Sequence, residues 1–147
     1  MNPIVPIMTS NTTPSGEAFA NSQGTGRNAY FAFDGNTSTW WATNAVKTNS
    51  YVGYTPANKA RVKKVSFHHN GRDIGKFRVE ALDDAGTWIS LYNGEITSSD
   101  PWDVTYDINN TEYYKSYRLY VLGVMSGGAS SSSISVFELQ FYGSIKH

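Results

Sequence analysis

No window of the chain holds apolar residues at helical spacing for three turns, and this restricts the fold more than any single motif does. Short runs that alternate apolar with polar residues recur instead. Val62, Lys64 and Ser66 form one face of such a run, and Lys63, Val65 and Phe67 the other. Phe77 to Ala81, Trp88 to Tyr92, Trp102 to Asp107, Tyr117 to Leu122 and Val136 to Tyr142 read as further strands. Asp83-Asp84-Ala85-Gly86, Asn70-Gly71 and Asn93-Gly94 supply turn residues, because Asn, Asp and Gly tolerate the backbone angles that tight turns need. Seven or eight strands with loops between them predict an all-β sandwich. Residues 1–15, with two prolines among the first six, read as an extended arm or linker, and 16–147 as the domain. Ala18-Phe19-Ala20 reads as an early strand, and Arg27 to Phe33 as one helical turn.

Two carboxylates stand out against this pattern. Asp34 sits in an Asp-Gly turn within Ala32-Phe33-Asp34-Gly35-Asn36, and Glu138 sits in the apolar terminal strand Phe137-Glu138-Leu139-Gln140-Phe141. Neither has a basic neighbour in sequence. A buried acid needs a partner, and a hard cation such as calcium, gathering carboxylate and turn carbonyl oxygens, would satisfy both and pin the ends of the chain together. The competing reading has Asp34 capping its own turn and Glu138 accepting from backbone amides.

Composition narrows the function classes. A chain of 147 residues is one ordinary domain with enough volume for a core. Twelve basic residues balance twelve acidic ones, so no electrostatic footprint for nucleic acid or an anionic membrane is present. The one basic run, Arg61-Val62-Lys63-Lys64, reads as the polar face of a strand. The lack of cysteine excludes disulfides, thiolate metal sites and a Cys nucleophile. No Ser occupies a nucleophile elbow, no Gly-rich loop opens a helix, and Asp100, Asp103, Asp107 and Glu112 show no paired-acid pattern, so the chain reads as no enzyme. The opening Met1-Asn2-Pro3-Ile4-Val5-Pro6 carries neither the basic start nor the apolar core of a secretory signal. The expectation drawn from it is that a signal or leader lies outside this sequence, or that export takes another route, as when a virus lyses its host.

The ordered set Ala32-Phe33-Asp34-Gly35, Thr39-Trp40-Trp41, Val62-Lys63-Lys64-Val65, Phe77-Arg78-Val79-Glu80, Gly86-Thr87-Trp88, Tyr117-Arg118-Leu119-Tyr120 and Ser135 to Gly143 resembles the discoidin-type (coagulation factor 5/8 C-type) jelly roll. Many bacterial carbohydrate-binding modules share this galactose-binding-like sandwich. The resemblance implies a structural calcium held by the carboxylates of Asp34 and Glu138 and by Thr39, with backbone carbonyls of Phe31, Asn36 and Phe137. It implies a core tryptophan at Trp41 and a variable position at Trp40. Tyr51-Val52-Gly53-Tyr54 stands where the family often reads Asp-Leu-Gly, which suggests an altered sheet edge.

In such modules the ligand lies on loops at one end of the sandwich, where a ring stacks on the sugar's C–H face and forked polar groups hold its hydroxyls. The candidates are Trp40, Tyr51, Tyr54, His68, His69, Asn70 and Arg72, with Asn44 and the Gly- and Ser-rich loop around Met125 nearby. The bland readings are that His68 and His69 are ordinary strand residues, that Arg72 bridges to Asp73 or Asp84, and that Trp88 and Trp102 are core. Met125, a lone apolar side chain without basic neighbours, makes a poor lipid anchor, so membrane binding ranks low. The expected function is non-catalytic capture of glycans outside the cell, with many copies displayed on a bacteriophage tail or capsid. The N-terminal arm would touch other virion proteins. A decoration protein that binds no sugar, and an accessory module of a glycosidase, are the alternatives.

Overall fold

The computed structural model describes residues 1–126 and 131–147, so part of the Gly- and Ser-rich loop, 127–130, lies outside the described residues. The strands are β1 (Asn2–Pro3), β2 (Glu17–Ala20), β3 (Trp41–Ala42), β4 (Thr48–Thr55), β5 (Ala60–His68), β6 (Lys76–Leu82), β7 (Trp88–Glu95), β8 (Asp103–Asp107), β9 (Ser116–Gly123), β10 (Ser135–Val136) and β11 (Glu138–Ile145). A 3-10 turn spans Ala29–Ala32. A four-stranded sheet, β1-β11-β5-β8, faces a five-stranded sheet, β2-β4-β9-β6-β7, and the short pair β10-β3 bridges them at one end. Every pairing is antiparallel. The all-β sandwich expected from the alternation is what forms.

Alternation places Val65 and Phe67 of β5, Phe77 and Val79 of β6, Leu119 and Val121 of β9, and Leu139 and Phe141 of β11 between the sheets. Val62, expected on the face opposite Val65, joins them because Lys63 is the extra residue of a bulge. Trp41 is fully buried, and its Nε1 donates to the Ser22 carbonyl at 2.8 Å, so the polar end of the ring is satisfied. Tyr117 of β9 spans the core and donates its hydroxyl to the Ala60 carbonyl at the start of β5, joining one sheet to the other.

Four expectations need correction. Residues 1–15 belong to the domain: β1 pairs with β11, and Ile4, Val5 and Met8 are buried. Val5 exchanges two 3.0 Å hydrogen bonds with the Gln140 side chain. The prolines fit because β1 is an edge strand, where a missing N–H costs nothing. Asn93-Gly94 is no turn but the interior of β7, opposite Arg78 and Phe77. A Cβ on Gly94 would come 2.5 Å from Phe77 Cζ, so the glycine is needed to let the ring in. The Tyr51 to Tyr54 segment is no sheet edge, since β4 pairs with β2 on one side and β9 on the other. Finally, neither Trp88 nor Trp102 is core: Trp88 is half-buried on the outer face of the five-stranded sheet, and Trp102 is 58% exposed.

Candidate functional site

The loop leaving β5 is organised by its own side chains. Asn70 Oδ1 accepts from the amides of Arg72 and Asp73 at 3.1 and 2.9 Å, and its Nδ2 donates to Asp73 Oδ2 at 2.7 Å. Ser135 of β10 donates to that same oxygen at 2.6 Å. The Asp73 carboxylate is therefore buried and fixed through one oxygen, leaving Oδ1 available. Arg72 Nε stands 3.6 Å from Oδ1, too far for a hydrogen bond, and the Arg72 side chain is 57% exposed. The pair thus sets a donor and an acceptor side by side, each with capacity left for a hydrogen bond to a neighbouring hydroxyl.

Trp102 lies over this loop, its indole Nε1 beside Gly71, where a Cβ would approach to 3.1 Å. Gly71 also takes φ +80°, so glycine is required there on both counts. Trp102, Trp40, Phe137, Asn70, Arg72 and Asp73, with Ser132, Ser133 and Ser135, surround a cavity of about 570 Å³. Trp40 forms a wall rather than a platform: Arg27 covers one face of its ring at 3.6 Å, and Phe137 stacks on it at 4.8 Å and 25°. His68 continues the row, edge-on to Phe137 at 5.9 Å and to Trp102 at 6.0 Å, with Nδ1 2.8 Å from Asp103.

Of the residues proposed from sequence, Trp40, Asn70 and Arg72 meet at the cavity, and His68 supports its rings from behind. Three do not take part. His69 is fully buried, its Nδ1 accepting from Gly71 N–H at 3.0 Å and its Nε2 facing the Pro101 carbonyl at 2.8 Å. Tyr54 is buried and donates to the Ser15 carbonyl at 2.9 Å; burial raises its pKa. Tyr51 lies on the outer face of the five-stranded sheet, stacked on Tyr120 and covered by Arg118 at 4.2 Å. Met125 is buried as well, which removes it as a lipid anchor. Sequence reasoning missed Trp102 and Asp73. The signal for Trp102 was the turn Ser98-Ser99-Asp100-Pro101 before it: β8 begins at Asp103, so the alternation that turns Val104 inward does not reach Trp102.

The hydrogen bonds of His69 fix it as the neutral tautomer, and burial, the dominant cause, lowers its pKa; His68 adds to this, while the Pro101 carbonyl, Asp100 and Asp103 oppose it. A histidine whose folded pKa is depressed contributes stability that is complete above its unfolded pKa, about 6.5, and is lost as pH falls below it. The urea midpoint is expected to drop between about pH 7.5 and pH 5.5, by more in the wild type than in His69→Gln. Equal drops in the two proteins would contradict this role.

The two acids do meet, and each makes the backbone contacts of the competing reading, Asp34 capping its turn and Glu138 accepting from an amide. Glu138, first residue of β11, accepts from Gly35 N–H through both oxygens, at 3.1 and 3.0 Å. Asp34 Oδ1 accepts from Asn36 N–H at 3.2 Å, and Thr39 donates its hydroxyl to Asp34 Oδ2. Asn36 offers its carbonyl to Thr39, Phe31 lies in the 3-10 turn before Asp34, and Phe137 donates its N–H to His68. Burial foremost, and the Asp34 charge beside it, push the Glu138 pKa up to about 7 against the lowering effect of the Gly35 amide. Among the described residues no Lys, Arg or His pairs with either acid.

No protein-family model matches the chain, and no curated protein matches its sequence. Solved structures do match its fold. The family 32 carbohydrate-binding module of Clostridium perfringens NanJ, in complex with galactose, superposes with a TM-score of 0.70 at 17% identity, over 86% of this chain and 92% of that one. CpGH89CBM32-5 from Clostridium perfringens, in complex with GalNAc-β-1,3-galactose, gives 0.72 at 18%, over 91% and 99%. Chitosan-binding module 2 from a Paenibacillus sp. IK-5 chitosanase/glucanase, in complex with chitotriose, gives 0.70 at 18%, over 87% and 96%. By architecture the chain is thus a discoidin-like β-sandwich of the kind found in family 32 carbohydrate-binding modules.

Proposed function

We propose that the chain is a non-catalytic glycan-binding module whose saccharide occupies the loop-end cavity. The observation that carries this reading is the exposed Trp102 indole lining one cavity together with Arg72, Asp73 and Asn70. Sugar hydroxyls would accept from Arg72 and donate to Asp73 Oδ1 while the C–H face of the ring lies on Trp102. Asp73 is the only carboxylate among the described lining residues, whereas glycoside hydrolysis needs two. Sugar complexes of three neighbours in fold lend support. A shallow site of this kind reaches about millimolar affinity, roughly 4 kcal/mol, and becomes useful only in many copies. Multivalent display outside the cell, as on a bacteriophage virion, is the setting that suits it. The N-terminal segment, packed on β11, is not free to serve as a tether. On a glycan array, the wild type displayed multivalently should give selective hits that Arg72→Ala loses. An array without hits would leave a decoration role instead.

We also propose a structural calcium at the Asp34 turn. Asp34 and Glu138 offer hard oxygens, together with the Thr39 hydroxyl and the carbonyls of Phe31, Asn36 and Phe137. When bound, the ion supplies the positive charge that two adjacent acids lack here. Chelation is expected to lower the melting temperature, with a loss of about 2.7 kcal/mol if free calcium had stood at about 100 times its Kd. In Glu138→Gln, melting with and without chelator should coincide. A wild-type melt indifferent to chelator would remove the ion from this account.

A further inference from the structure

The run Arg61-Val62-Lys63-Lys64 plays no part in the loop-end site. It lies at the opposite end of β5, with Arg61 roughly 23 Å from His68 at about 3.3 Å per residue. Across the strand pair, Arg61 stands opposite Ser144, and Lys64 opposite Tyr142; the register slips between Tyr142 and Gly143, leaving Lys63 as the extra residue of a bulge. Arg61 lies 5.0 Å over the Tyr113 ring, and Lys146 Nζ lies 5.9 Å over the same ring. Tyr113 and Ser144 share a hydroxyl contact of 3.3 Å beside them. Lys64 Nζ lies 4.5 Å over Tyr142.

The charges here are not balanced locally. Lys59 pairs with Asp84 at 2.8 Å, but among the described residues no carboxylate lies within ion-pair distance of Arg61, Lys63, Lys64 or Lys146. The nearby acids make no ion pair with these cations: Asp107 stands opposite Lys64, Glu112 precedes Tyr113, and Asp84, paired with Lys59, feels the Lys146 charge from a distance. Arg61 Nε is buried and has no hydrogen-bond partner among the described residues. Two cations over one ring repel each other unless an anion lies between them. The terminal N–H groups of Arg61, the Lys146 ammonium and two hydroxyls supply donors for an oxyanion.

We propose that this face binds the sulfate groups of an anionic polysaccharide. Two cation-on-ring units, Arg61–Tyr113–Lys146 and Lys64–Tyr142, follow one another along the sheet. Ser144 and Tyr142 lie two residues apart on β11, a step of roughly 7 Å. That repeat suits a chain bearing anions at intervals, with sugar faces on the rings, better than an isolated ion. A lipid surface is disfavoured because, among the described residues, only Met1 and Ile7 are large exposed apolar side chains beside the patch.

The test is binding to a heparin-derived octasaccharide, measured for the full chain at about 50 and about 500 mM salt. Retention at low salt and release at high salt is expected, with inorganic sulfate competing only at far higher concentration. Lys64→Glu and Lys146→Glu are each expected to weaken binding about tenfold, and together with Arg61→Gln to abolish it. Arg72→Ala should bind the octasaccharide like the wild type, so this site and the loop-end site stand or fall separately. The proposal is overturned if the wild type fails to bind, if the folded triple variant binds undiminished, or if Arg72→Ala abolishes binding. It is equally overturned if duplex DNA or phosphatidylserine vesicles bind as tightly as the octasaccharide.

Discussion

Trp102→Ala is expected to reduce glycan affinity at least about tenfold, roughly 1.4 kcal/mol, while leaving the fold intact. The loss follows from the geometry: Trp102 is the ring that leaves the cavity wall exposed, whereas both faces of Trp40 are taken by Arg27 and Phe137. A stacked pair of this kind contributes on the order of 1 kcal/mol beyond area burial. Since the starting affinity is about millimolar, a tenfold loss puts binding beyond detection on an array. With 58% of its surface already in water, Trp102 contributes little to the core. Trp40→Ala should behave differently, lowering both binding and the melting temperature, because it removes the centre of a stacked row. Full binding by Trp102→Ala would show that the saccharide stacks elsewhere.

Arg118→Ala is expected to destabilise the domain by about 3 kcal/mol, or on the order of 10 °C in melting temperature, without touching the cavity. Glu80 of β6 is buried on the outer face of the five-stranded sheet, and Arg118 of β9 donates to it at 2.8 Å. Arg78 stands 3.6 Å from its other oxygen. The Arg118 guanidinium is itself covered by Trp88 at 4.0 Å and Tyr51 at 4.2 Å. Removing the arginine leaves a desolvated carboxylate with one distant partner and uncovers two rings. Replacing both partners with apolar residues, Glu80→Leu with Arg118→Met, should recover most of the loss. Thermal denaturation of the single and double variants checks this; equal melting temperatures for wild type and Arg118→Ala would contradict it.

Much of the fold was legible because burial on one side of a strand writes itself into alternate residues, as in β9 and β11; in β5 the bulge at Lys63 breaks the pattern, so Val62 and Val65 are both buried. The Asp34–Glu138 meeting was legible for a related reason, since an acid in an apolar strand demands a partner. The binding end was harder. Alternation says nothing beyond the last paired residue, so Trp102, one position before β8, was assigned inward although it points out. His69 and Tyr54 carry the polar chemistry of a ligand site, yet their polar atoms are consumed by the carbonyls of Pro101 and Ser15, contacts between segments distant in sequence. Asp73 gains its role from Ser135, 62 positions away. Residues 1–15 have the composition of a linker, but burial of Ile4, Val5 and Met8 anchors them to the sandwich once β11 provides a partner strand.

The central claim, a saccharide lodged between Trp102 and the Arg72–Asp73 pair, is tested most directly by amide and indole NMR shifts during titration with a glycan that the array selects. The predicted result is saturable movement of the Trp102 Nε1–H, the Gly71 and Arg72 amides and the Arg72 Nε–H, with β7 and the Arg61 end of β5 unmoved. Shifts confined to the outer sheet faces, with Trp102 and Arg72 still, would contradict it.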